Sequence, residues 1–255
     1  MSFNIRNMRS RDGVNGWEQR REMVCDLIRR HKPDILATQE AYFPQVEDLR
    51  RALPEYAVLG VGRDDGKRAG EHCALFVLCQ RWQVGASGTF WFSDTPDAPG
   101  SRHWTREHAR ICTWAYLIGE SGAPFVVYNV HMDHESQPAR EKSARLIAEH
   151  IQRFYPDTPT LVAGDFNMEE DNPAMQYLLE STAPRLHDTF RPLHAMSPRQ
   201  GTFHGFSGEQ DGEKIDYILA TGAFQALKTR ILHDNADGRY PSDHFPLIAR
   251  IRGES

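Results

Sequence analysis

Apolar positions along the chain alternate between helical spacing and short unbroken runs. In "WEQRREMVCDLIRRHKPD", Met23, Val24, Leu27 and Ile28 share one helical face, with arginines opposite and Pro33 as the stop. "DILATQE" reads as a short buried strand ending at Glu40, and Val46, Leu49 and Leu53 mark a second helix closed by Pro54. Strand-like runs follow at "YAVLG", "CALFVLC", "TFWF", "ICTWAYLI" and "FVVYNVH". "AREKSARLIAEHIQRFYP" predicts an amphipathic helix through Ile147, Ile151 and Phe154. After it come the strand "TLVAG", a helix around "AMQYLLE", and the strands "KIDYILA" and "FPLIARI"; "SFNIR" opens the chain as a strand. Strands outnumber helices but the two are interleaved, which predicts an α/β or α+β sandwich.

A chain of 255 residues, 40% hydrophobic and 25% charged, is long enough for one sizeable core. No stretch has the composition of a linker, so a single domain over residues 1–255 is expected. The formal charge of -5 argues against tight non-specific binding to long nucleic acid but leaves room for a local basic cleft. Cys25, Cys73, Cys79 and Cys112 have neither metal-site nor disulfide-framework spacing. The opening "MSFNIRNMRSRDG" lacks an apolar h-region, and "CALFVLC" is too short to span a bilayer. No membrane insertion and a cytoplasmic location are therefore expected, and nothing points to a protein partner.

Candidate chemistry lies in the polar residues attached to the apolar runs. Asn4 sits in the opening strand, Glu40 ends "DILATQE", and His131 and Asp133 end "FVVYNVHMDH". Asp165 and Asn167 follow "TLVAG", and Asp243 and His244 precede "FPLIARI". Singly, each has an ordinary explanation: an Asp after a Gly is usually a turn residue. Asp216 is harder to dismiss, because it is embedded in "KIDYILA" and strand interiors are depleted of Asp. A buried carboxylate needs a donor or a cation, and "SDH" offers a histidine. Strand tips converging at one edge would make an acidic, His-containing cleft. Carboxylate and amide oxygens without thiolates suit Mg²⁺ or Mn²⁺, and His beside carboxylates supplies acid–base chemistry near neutral pH. Together they point to metal-assisted attack of water on a phosphate ester.

Other motifs fail on spacing. "GVGRDDG" lacks the glycine pattern of a dinucleotide-binding turn. "DFNMEEDNPAMQ" has Glu170 where a calcium loop needs Gly and Gln176 where it needs Glu. Ser242, Asp243 and His244 are too adjacent to form a serine triad with one another.

The ordered set of Asn4, "QE" at Gln39–Glu40, "NVHMDH", "GDFN", "IDYI" and "SDHFP" resembles the endonuclease/exonuclease/phosphatase superfamily, in its bacterial branch, from Phe3 to about Arg252. The resemblance implies a four-layer, DNase I-like sandwich: two packed mixed β-sheets flanked by helices, with the site at one edge. It implies Glu40 as principal metal ligand, assisted by Asn4 and Asp243. Asp165 and Asn167 would orient water and contact phosphate, and His244 held by Asp216 would serve as acid–base or phosphate-stabilising group. His131 would bind a phosphate oxygen with Glu71 as its carboxylate partner. Arg63, Trp104 and Arg110 are candidates for substrate contact. The expected activity is a Mg²⁺- or Mn²⁺-dependent phosphoesterase acting on a small phosphodiester or phosphomonoester. The alternatives are a nuclease acting on DNA or RNA, and a binding protein that keeps the fold without catalysis.

Overall fold

The computed structural model describes residues 1–105, 107–120, 122–180 and 182–253. Its strands are β1 (Ser2–Asn4), β2 (Ile35–Tyr42), β3 (Tyr56–Leu59), β4 (Glu71–Leu78), β5 (Trp82–Trp91) and β6 (Ile111–Gly119). They continue with β7 (Pro124–His131), β8 (Thr160–Asp165), β9 (Leu186–Asp188), β10 (Asp216–Thr221), β11 (Phe224–Ile231) and β12 (Leu247–Gly253). The helices are α1 (Trp17–His31), α2 (Phe43–Ala52), α3 (Gln137–Phe154) and α4 (Pro173–Glu180). One sheet has the order β11-β12-β1-β2-β4-β3, the other β5-β6-β7-β8-β10-β9. Both are mixed, because β1 runs parallel to β2 and β7 parallel to β8.

The layers follow from period-two alternation on strands buried on both faces. In β4, Ala74, Phe76 and Leu78 join Val24, Leu27, Ile28, Val46 and Leu49 of the two helices outside the first sheet. Leu75 and Val77 point the other way, toward Leu117, Val127, Ala163 and Ile218 of the second sheet. There the outward residues Val162, Tyr217 and Leu219 pack on Ile147 and Ile151 of α3 and Met175 and Leu178 of α4. The result is the expected sandwich of helices, sheet, sheet and helices.

Some boundaries differ from the sequence reading. β5 begins at Trp82, ahead of "TFWF", because residues 82–88 form a half-exposed edge strand with no apolar run. β9 and β11 carry no apolar run that predicts them, and β11 is an edge strand half of whose residues are polar and half exposed. β12 starts at Leu247, past Pro246, which has no N–H for a sheet. Phe154, placed by periodicity on the buried face of α3, is 53% exposed at the helix end. Asp216 is not in a strand interior but opens β10, although it is buried.

Beneath one end of the sandwich, a polar clamp joins the sheets. Asn129 of β7 is fully buried; its Oδ1 accepts from Gln39 Nε2 at 2.7 Å, and its Nδ2 donates to the carbonyls of Thr38 and Ala74 at 2.9 Å each.

Candidate active site

Register places the chemistry at this end. His131 pairs with Asp165 across β7 and β8, and Asp165 pairs with Asp216 across β8 and β10, so three polar residues stand in a row. In the first sheet Asn4 pairs with Gln39, and Glu71 with Tyr42. Between Thr38 and Ala41 the register shifts, and Glu40 adopts a left-handed φ of 63°. Such a bulge re-aims one side chain at a sheet edge. It turns Glu40 toward the row on the facing sheet. Gly164 lets the strands meet: a Cβ there would stand 2.1 Å from the Val130 carbonyl oxygen.

The two sheets touch through these residues. His244 Nδ1 lies 2.9 Å from Asp216 Oδ2, and His244 Nε2 lies 3.8 Å from Asp165 Oδ2. Asn4 Nδ2 donates to Asp165 Oδ2 at 2.9 Å and to Glu40 Oε1 at 3.0 Å. Asn7 donates its backbone and side-chain N–H groups to Glu40 Oε2 at 3.1 and 2.9 Å. Asp243 receives Ser242 Oγ at 3.2 Å and faces Arg6 Nη1 at 3.4 Å. Asn167, at a left-handed φ of 51°, donates Nδ2 to the Met132 carbonyl and its backbone N–H to Asp165 Oδ1.

Protonation follows from these contacts. Burial alone would lower His244, but the carboxylates of Asp216, Asp165 and Asp243 outweigh it and push the imidazole up to about 10. Burial, then the facing Asp216 carboxylate, pushes Asp165 up to about 7. Burial works against ionised Glu40 too, yet the donors of Asn4 and Asn7, with His244 and Arg6, hold it below the usual carboxylate range. Within one cluster His244 and Asp165 are thus pushed up while Glu40 is pushed down.

A second group lines the same cleft, of about 440 Å³. Arg110 Nη1 lies 3.0 Å from His131 Nε2 and Nη2 lies 2.8 Å from His134 Nδ1. A guanidinium only donates, so both ring nitrogens accept and His131 is neutral. Burial, reinforced by Arg110 and Arg63, also drives His131 well below the usual histidine range. The Glu71 carboxylate meets Arg63 Nη1 at 2.6 Å and His131 Nδ1 only at 3.9 Å. Its first partner is thus Arg63, because Arg63 and Glu71 pair across a bridged turn, the Arg63 N–H donating to the Glu71 carbonyl.

Most of the anticipated residues meet here. Glu40, Arg63, Glu71, Arg110, His131, Asp165, Asn167, Asp243 and His244 line the cleft, with Asn4 and Asp216 directly behind. Asn4 Oδ1 accepts the Arg6 N–H at 3.0 Å, which turns its nitrogen toward the carboxylates of Glu40 and Asp165. Trp104 is not among the residues lining the cleft. Its indole N–H donates to Asp94 Oδ1 at 2.7 Å, and its ring lies under Lys142. Arg6, Asn7, His108, His134, Phe203 and Glu213 also line the cleft and were not anticipated. Their loops show no periodicity, and only the polar density of "NIRN" hinted at Arg6 and Asn7.

The donor set suits a hard divalent cation. Glu40, Asp165, Asp216 and Asp243 converge, and among the described residues Asp216 Oδ1 is buried without a hydrogen-bond partner. Such crowding of carboxylates calls for positive charge beyond His244 and Arg6. Asp165, Asp216 and His244 lie within 4.8 Å of one another, and Glu40 and Asp243 line the same cleft.

A carboxylate cluster, a buried Asp–His pair and two buried arginines on a two-sheet sandwich define a hydrolase of phosphoester bonds. A profile of the Endonuclease/Exonuclease/phosphatase family matches residues 1–244, and the chain belongs to that family, whose members depend on divalent metals. It is similar to an endonuclease/exonuclease/phosphatase from Bacteroides vulgatus (35% identity, TM-score 0.93, covering 99% of this chain and 97% of that one). It is also similar to the mannosyl-6-phosphatase of Bacteroides thetaiotaomicron (32% identity, TM-score 0.90, 98% of each chain). Human nocturnin is 24% identical over 262 residues, which cover 91% of this chain and 57% of nocturnin. Among the described residues no helix is long and apolar enough to cross a membrane.

Proposed function

We propose that the chain, acting as one catalytic unit over residues 1–255, is a Mg²⁺- or Mn²⁺-dependent phosphomonoesterase whose substrate is a phosphorylated sugar. The observation that carries this reading is the shape and charge of the cleft. Its volume of about 440 Å³ suits a single sugar phosphate, and Arg63 and Arg110, each 5% exposed, face it from beside Glu71 and Asp133. A terminal phosphate dianion gains more from two guanidinium groups than a singly charged diester does. The likeness to a mannosyl-6-phosphatase over 98% of both chains supports the same substrate class.

Glu40, with Asp243 beside it, would hold the cation, which supplies charge stabilisation on the phosphate oxygens. Asp165, poised near neutrality and fixed by Asn4 and the Asn167 N–H, accepts the proton of the attacking water. His244, kept cationic by Asp216, donates from Nε2 to the phosphate and gives its proton to the leaving sugar alkoxide as the P–O bond to the sugar breaks. Arg63 and Arg110 bind the remaining oxygens, and neutral His131 fixes the direction of the Arg110 guanidinium.

The test is a rate panel with Mg²⁺ or Mn²⁺ over mannose 6-phosphate, glucose 6-phosphate, a bis-ester reporter, and single- and double-stranded DNA and RNA. Sugar phosphates should lead, with rates that vary little with salt. Fastest cleavage of a polynucleotide, with affinity falling steeply as salt rises, would replace this reading by a nuclease.

A further inference from the structure

The cleft is almost wholly polar. Among the described residues that line it, only Phe203 and Ile215 are apolar, and Ile215 is buried. Phe203 is 41% exposed and its ring centroid lies 5.1 Å from that of His244, edge on. A lone exposed aromatic on a protein surface needs no explanation. One standing over the imidazolium of a charged cleft does, since water would solvate any polar side chain better there.

Its placement is rigid. The segment around Phe203 is bonded on both sides: Thr202 and Phe203 N–H donate to the Glu213 carbonyl, and Phe245 N–H donates to the Thr202 carbonyl at 2.7 Å. Phe203 bridges His244 in antiparallel fashion, and Thr202 Oγ1 accepts the N–H groups of Ile215 and Asp216. The same stretch that holds Asp216 and His244 therefore holds the ring. Gly201 packs so closely on Gly212 that a Cβ would meet its carbonyl oxygen at 2.4 Å, so no side chain fits between the two stretches.

We infer that Phe203 is the platform for the leaving group: its exposed face stacks against the C–H face of the sugar ring while the phosphate sits among Glu40, His244 and the arginines. This rests on the sugar-phosphate reading and adds to it the residue that selects a ring. A sugar has one apolar C–H face and a hydroxyl-bearing rim, which matches one aromatic wall in a cleft otherwise lined by hydrogen-bonding groups. Phe203 acts on binding and specificity, while bond cleavage belongs to the groups beneath it.

The experiment measures kcat/KM for mannose 6-phosphate and for glycerol 1-phosphate, which has no ring, in wild type, Phe203→Ala, Phe203→Leu and Phe203→Tyr. The ratio of the two should fall about tenfold in Phe203→Ala, through KM, since an aromatic contact of ordinary strength is worth about that factor. Phe203→Leu should recover little of the ratio and Phe203→Tyr most of it, because flatness and not bulk is required. A merely structural residue would lower both substrates together and leave the ratio unchanged. An unchanged ratio in Phe203→Ala, in a wild type active on mannose 6-phosphate, overturns the platform alone. A larger loss on adenosine 5′-monophosphate than on mannose 6-phosphate overturns the assignment to a sugar, because the ring then serves a base. A wild type inert toward sugar phosphates overturns the substrate reading and the platform with it.

Discussion

Replacing Asp216 with Asn isolates a charge at nearly constant shape. The 2.9 Å contact between Asp216 Oδ2 and His244 Nδ1 survives as a neutral hydrogen bond, because the amide oxygen also accepts. What disappears is the attraction between unit charges, about 5–6 kcal/mol at that distance for an effective dielectric near 20. Much of this offsets the desolvation of two groups that are 1% and 5% exposed, so the net loss of stability should be about 3–5 kcal/mol at most. The kinetic effect is separate. With one fewer anion beside it, His244 holds its proton less firmly and faces the phosphate as a weaker cation, so kcat should fall by roughly 10²–10⁴. KM should move far less, since Arg63 and Arg110 remain in place. The assay is steady-state kinetics on a phosphomonoester at saturating Mg²⁺, normalised to the folded fraction from circular dichroism. The double variant with His244→Ala should be little slower than His244→Ala alone, because groups acting as a unit are not additive. A folded Asp216→Asn protein with wild-type kcat would refute the reasoning and reduce the pair to a structural one.

Three further outcomes are expected. Glu40→Gln should weaken Mg²⁺ binding by calorimetry and cut turnover by about 10²–10³; full activity in that variant, or after exhaustive chelation, would remove Glu40 as the metal ligand. Gly164→Ala should cost about 2–3 kcal/mol, roughly 5–10 °C in Tm, because the new Cβ would stand 2.1 Å from the Val130 carbonyl oxygen and neither strand can yield. An unshifted melting curve would show that the strands do separate without penalty. His150 is stacked on Phe90 at 4.8 Å with Nδ1 2.9 Å from the Tyr128 hydroxyl, and burial drives its imidazole down to about 4. The unfolded chain then binds the proton first, so this contribution is complete above pH 6.5 and is lost as pH falls from about 6.5 toward 4. Urea melts at pH 7.5 and 5 should show a smaller acid-induced loss in His150→Phe than in wild type, and equal losses would contradict the assignment.

The sequence made some of this site legible and hid the rest for physical reasons. Asp216 stood out because Ile215, Tyr217 and Ile218 surround it, and the need of such a carboxylate for a cation led to His244. The residues at strand tips were found because apolar runs end visibly. The partner of Glu71 was not, since Arg63 lies in a turn without periodicity and its bond to Glu71 depends on how that turn closes. Nor did residue type reveal that Asn4 would point its nitrogen inward, which the Arg6 N–H decides. Nor could residue type show that the Trp104 indole N–H would be used by Asp94, which depends on how its loop folds. Strands β9 and β11 escaped notice because edge strands owe their form to a neighbour and need no apolar run of their own.

The division of the site between two sheets has a consequence for how activity depends on the fold. Glu40, Asn4, Asp243 and His244 belong to the first sheet or its approach, and His131, Asp165 and Asp216 to the second. Each sheet by itself holds only half of the chemistry. The hydrogen bonds from Gln39 to Asn129 and from Asn4 to Asp165 form when the halves dock, and they form together. Catalysis is thus a property of the docked state alone, and a change that loosens the seam between the sheets should lower activity even where the strand pairing within each sheet is intact.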